Sequence, residues 1–147
     1  MIFILLFVNV FPFWCYPNKL DYCPGVRYAR IDAGTNYLQI SQLAVYNISG
    51  VNVAKGKNVT STAAYVGDPC TYYPSAPVDG VLAPKTFSIC TYKAYISSLS
   101  SGAYWQVDLG STQSISKVVF YNRLDNPTRS VTYTLTLYSS QNTVICT

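Results

Sequence analysis

Ser101 to Arg123, SGAYWQVDLGSTQSISKVVFYNR, decides how this chain is read. Tyr104, Trp105, Val107 and Leu109 place bulky groups on an extended segment, with Gln106 and Asp108 between them. Gly110 interrupts the run, and a second apolar, β-branched run follows from Ile115 to Tyr121. Two such runs separated by Gly, Ser and Thr predict a pair of adjacent strands with a turn near Gly110.

Composition points the same way. The chain has 147 residues, of which 50% are hydrophobic and 11% charged, with 14 tyrosines. That length suits one domain with a sizeable core, and the Tyr, Thr and Val content suits pleated, half-buried surfaces. A net charge of +4 without a basic run gives no stripe for a nucleic-acid backbone. There is no histidine and no glutamate, and the six aspartates are scattered. The usual general base and the Ser-His and Cys-His pairs are therefore missing, so no catalytic residue is assigned and an enzyme is not expected.

Residues 1–16, MIFILLFVNVFPFWCY, are apolar apart from Asn9. They are shorter than the ~20 residues a membrane-spanning helix needs, and Pro12 interrupts them. Three readings fit: a signal peptide without the usual basic start, a retained arm or anchor that contacts a membrane or another subunit, or a misplaced start. Residues 17–25 read as a linker punctuated by Pro17, Pro24 and Gly25. The domain is expected to span 26–147.

Within it, Val26 to Ile31 reads as a strand, and Tyr37 to Tyr46 as a second whose apolar phase shifts between Ile40 and Leu43, predicting a bulge or short break. Val131 to Tyr138, VTYTLTLY, alternates, with Val131, Tyr133, Leu135 and Leu137 expected inward and the threonines outward. Residues 66–100 carry scattered Pro, Gly and Ser and read as loops, where binding function tends to sit. Tyr72, Tyr73 and Tyr92 fall there, and tyrosine offers rigid amphipathic contact area. Asn47 and Asn58 open N-glycosylation sequons.

A tryptophan followed by QVDLG, a short turn and I-x-x-V-x-x-Y-N-R resembles the discoidin, or coagulation-factor C-type, domain. That family belongs to the galactose-binding-like group, which includes the fucose-binding F-type lectins. The resemblance implies an all-β, antiparallel jelly-roll sandwich. In the family, a strand similar to RYxRI and one similar to I-x-x-L-x-V-Y close the domain; here RYARI and QISQLAVY come first, and NVAKGKNVTSTAAY, similar to the usual opening, follows. A circular permutation accounts for this order, as does the tail of one repeat fused to most of another. The permutation uses each piece once and predicts that Tyr28 to Ile31 lies beside strands from the C-terminal half. This order resembles versions found in large DNA viruses of algae and protists.

The resemblance also suggests sites. Asp79-Gly80 matches a turn next to a structural calcium in the family, and is equally a good turn in its own right. Arg123 and Asp125 resemble the Arg-x-Asp of F-type lectins, with Arg129 one place from a second basic residue; the alternative is a salt-bridged corner. Permutation brings the domain ends together and so allows a Cys23–Cys146 disulfide, with Cys70–Cys90 as a second pair and Cys15 left over. Five buried thiols in a reducing compartment are the alternative. The function expected is non-enzymatic binding or assembly outside a cell or on a virion, as a minor coat or capsid subunit, or else as a carbohydrate-binding adhesion domain. Its partners would be other subunits or surface glycans and proteins.

Overall fold

The quoted stretch forms one uninterrupted strand. In the computed structural model, which describes residues 8–11, 22–66, 72–83, 86 and 93–147, Tyr104–Tyr121 runs as a single strand of 18 residues. The turn expected at Gly110 is a kink instead. Gly110 takes a φ of 84°, a left-handed value that glycine adopts without steric cost. Asp108 Oδ1 accepts the Gly110 N–H at 2.8 Å, and the Arg27 guanidinium donates both to the Gly110 carbonyl and to Asp108 Oδ2. Beyond it the pairing with β2 resumes in a shifted register, with Val26 opposite Gln113 and Cys23 opposite Ile115. The two apolar runs are thus collinear halves of one strand, each with its own neighbours.

The strands in chain order are β1 (Val8–Phe11), β2 (Cys23–Asp32), β3 (Gln39–Ile40), β4 (Gln42–Asn47), β5 (Val59–Ser61), β6 (Tyr95–Ile96), β7 (Tyr104–Tyr121), β8 (Thr134–Tyr138) and β9 (Val144–Cys146). All strand pairings among the described residues are antiparallel. β7 pairs with β1, β2, β4 and β5; β2 also pairs with β8, and β8 with β9; β3 and β6 make a separate two-stranded ribbon. The protein is all-β and antiparallel. Among the described residues no helix is long and apolar enough to cross a membrane.

Several sequence expectations shift by a few residues. The second expected strand is split at Ser41: Gln39–Ile40 belongs to the ribbon and Gln42–Asn47 to the large sheet. The phase change between Ile40 and Leu43 marks that crossing. β2 starts at Cys23, inside the expected linker, because Gly25 at φ 76° and a register shift between Cys23 and Val26 absorb the Pro-Gly step within the strand. The last expected strand begins at Thr134. Pro127 starts a 3-10 turn, Pro127–Thr132, since its fixed φ favours a first helical turn. Thr136 is buried rather than outward, because β8 lies between β2 and β9 and Arg30 sits opposite it.

The core follows from the alternation. Trp105, Val107 and Leu109 on β7 point to one face with Val26, Ala29 and Ile31 of β2 and Leu135 and Leu137 of β8. Beyond Ile115 the inward phase moves to Val118 and Phe120. Ser116 is the extra residue: Tyr46 faces Lys117 and Asn47 faces Ile115, so a bulge reverses the alternation. The Ser116 hydroxyl secures it by donating to the Asn47 carbonyl at 2.9 Å. Leu43 and Val45 of β4 then join the same core.

Tyr133, just before β8, fastens the ribbon to this core. Its hydroxyl donates to the Tyr37 carbonyl at 2.5 Å and accepts the Gln39 N–H at 2.9 Å. Its ring stands edge-on to Phe120. Burial pushes this phenol up from 10.0 to about 12. A raised acid pKa stabilises the fold fully below pH 10 and loses that contribution as pH rises towards 12. Two units correspond to roughly 3 kcal/mol. The stability difference between wild type and Tyr133→Phe, from urea melts, should therefore shrink between pH 10 and 12. A difference constant over that range would contradict it.

Candidate functional site

β7 ends at Tyr121, and the buried Asn122 turns the chain that follows. Its Nδ2 donates to the Pro127 carbonyl at 2.8 Å and to the Ser130 hydroxyl at 2.7 Å, while its Oδ1 accepts the Arg123 N–H at 2.9 Å. That closed loop presents Arg123 and Asp125. Arg123 donates from Nε to Asp125 Oδ1 at 2.7 Å and from Nη2 to Oδ2 at 2.5 Å, the bidentate geometry of a strong pair. Its Nη1 reaches Gln39 Oε1 at 3.0 Å across the ribbon. The two side chains are only 12% and 22% exposed. The Arg129 guanidinium, from the same loop, lies over the Tyr37 ring, 5.8 Å from its centroid. Tyr133 feels both arginines. The structure therefore brings Arg123, Asp125 and Arg129 together with Tyr37 and Gln39. The pair is engaged internally, as the salt-bridged-corner alternative describes, with the Arg129–Tyr37 contact on the same loop.

The tyrosine loop sits on the other strand of the ribbon. Gln39 of β3 faces Ile96 of β6. Ile96 packs with Tyr72, Ala94 and Ala64 in a small second cluster. Tyr72 is only 7% exposed, so its ring is a packing element rather than a contact surface. Tyr73 beside it is 44% exposed, with the Lys93 ammonium 5.8 Å from its ring, and Tyr65 lies tilted against Tyr72. Tyr92, Cys15, Cys70 and Cys90 lie outside the described residues.

Asp79 closes its own turn, its Oδ1 accepting the Val81 N–H at 2.8 Å. Gly80 has φ 91°, and a Cβ there would meet Lys55 Cε at 2.6 Å, so the lysine stem lies across the turn. Among the described residues no three His, Cys, Asp or Glu gather as a metal-binding group. Asn47 likewise serves a turn, its Oδ1 accepting the Ser49 and Val51 N–H groups. Asn58 and Thr60 of the second sequon are both exposed.

Cys23 and Cys146 are joined by a disulfide with Cα atoms 6.3 Å apart. Two further ion pairs went unread in the sequence. Arg30 and Asp32 pair bidentately on β2, and the Arg30 guanidinium lies 4.3 Å from the Tyr104 ring centroid. An Arg-x-Asp within a strand places both side chains on one face, which was the available signal. Arg27 and Asp108 pair across 81 residues, a separation that leaves none. There the Arg27 guanidinium, helped by the Gly110 N–H, holds the Asp108 carboxyl below its ordinary value of 3.8. Compared with protein-family models, curated proteins and solved structures, the chain matches none.

Proposed function

We propose that this chain is a non-enzymatic binding and assembly module that works outside the cytosol, as a coat or capsid-type subunit of a virion. Its scaffold in this reading is a discoidin-type jelly-roll sandwich with a rotated strand order. The observation that carries the reading is the placement of β2. The strand containing RYARI lies between β7 and β8, both from the C-terminal half, and Cys23 at its start is bonded to Cys146 near the chain end. A rotated order requires that neighbourhood. A disulfide of this kind fits an oxidising exterior. The incorporation of residues 8–11 into the sheet fits an N-terminal arm that belongs to the fold.

A second reading, a lectin-like adhesion domain, is favoured by one arrangement. The Arg129–Tyr37 contact, on the loop that carries Arg123 and Asp125, groups an amphipathic aromatic side chain with planar hydrogen-bond donors, the kinds of group that contact a sugar. The test is density-gradient sedimentation of the chain from its natural source, with a glycan array run with and without chelator. Co-sedimentation with a large particle, and no glycan signal, supports the structural subunit. A freely soluble chain whose glycan binding disappears in Arg129→Ala overturns it in favour of the lectin.

A further inference from the structure

The two sides of β7 can be told apart from its register. Ile115 has Cys23 on one side and Asn47 on the other, so β2 and β4 flank opposite edges. Val118 to Tyr121 face both β1 and β4, which places β1 on the same edge as β2. β1 and β2 therefore run end to end in the same direction along one edge of β7. Phe11 lies opposite Val118 and Cys23 opposite Ile115, a gap of about 10 Å at the usual rise per residue. Residues 12–22 connect them, and a segment of that length reaches up to about 40 Å. The connection is far longer than the join needs.

β1 has four residues and covers an edge that would otherwise present unpaired backbone groups, the feature through which β proteins pair with further chains. On the opposite edge β4 already occupies Val118 to Tyr121. We propose that the Val118–Tyr121 edge of β7 is a strand-acceptor site through which copies of this chain link, its occupant in the assembly being residues 8–11 of a neighbouring copy. The inference rests on the assembly reading above. The occupant is argued from the register β1 keeps with Val118–Tyr121 in its own chain and from the number of residues between β1 and β2, which is enough for the same strand to reach a neighbour. A tether of that length holds its own strand at an effective concentration of about millimolar, so exchange is expected only where copies are comparably crowded, as in a coat.

Val10 and Val119 are direct register partners, so a full-length Val10→Cys, Val119→Cys double variant places two thiols across the pairing. Equal amounts of heavy-nitrogen and unlabelled protein are mixed, brought to millimolar concentration and oxidised. Peptides joining positions 10 and 119 are then weighed. Complete exchange makes about half of those peptides isotopically mixed, falling towards none on dilution before mixing. Peptides that stay isotopically pure at every concentration overturn the proposal, as does the absence of any such bond. Should that variant fail to fold, Val8→Cys with Tyr121→Cys tests the same register. Particle sedimentation reports separately on the assembly reading: a chain that sediments with particles yet gives only pure peptides fails this inference alone.

Discussion

Replacing Cys23 and Cys146 together with alanine should lower the stability of the domain by about 5 kcal/mol, the loop entropy of a closed ring of this size. The bond spans a sequence separation of 123, close to the largest this chain permits, and its release returns that conformational freedom to the unfolded state. Both residues are buried in the main core, beside Val26, Ile115 and Leu137, so alanine also leaves a small void. For a domain of this size the melting temperature should fall by roughly 10–20 °C. Thermal melts of the wild type with reductant should approach the double variant. If reductant leaves the wild-type midpoint unmoved, the bond is not made in the native protein.

Trp105→Ala should cost about 4 kcal/mol, the usual range for emptying a buried aromatic site. Trp105 is fully buried and is the largest side chain in the core. Its Nε1 also donates to the Pro74 carbonyl at 2.7 Å, which anchors the loop carrying Tyr73. The substitution therefore has a local signature. Hydrogen exchange should rise at residues 73–79 more than across β8. Trp105→Phe refills most of the volume without the donor, so it should keep more of the global stability yet reproduce the loop loosening. Equal exchange in both regions for both variants would show that the indole N–H does not hold the loop.

How much of this could be read from the sequence depended on how local each signal was. The strand at RYARI, the break between Ile40 and Leu43 and the Arg123–Asp125 pair were legible because each is fixed by alternation or by two-residue spacing. Gly110 misled for a physical reason. A single left-handed residue can end a strand or merely kink it, and the choice here rests on Arg27, 83 residues away, which holds the carbonyl in place. Val131 misled similarly: alternation carried the strand too far back, while Asn122 and Pro127 held that segment in a turn. The candidate site was half legible. Arg123, Asp125 and Arg129 share one loop, but Tyr37 and Gln39 enter only through the fold, and the burial of Tyr72 depends on Ala94 and Ile96 from another segment.

The many pairings of β7 also set when this protein can fold. β1, β2, β4 and β5 all hydrogen-bond to a strand that begins at Tyr104, and β2 waits further for β8. At ordinary translation speeds of about 5–20 residues per second, those earlier strands leave the ribosome several seconds before their partner exists. Long-range pairing of this kind is slow even once the chain is complete. The nascent chain thus carries a growing set of strand edges whose β7 partner has not yet been made. Its yield in a cell should accordingly depend on holdase chaperones that shield those edges until Tyr121 has emerged.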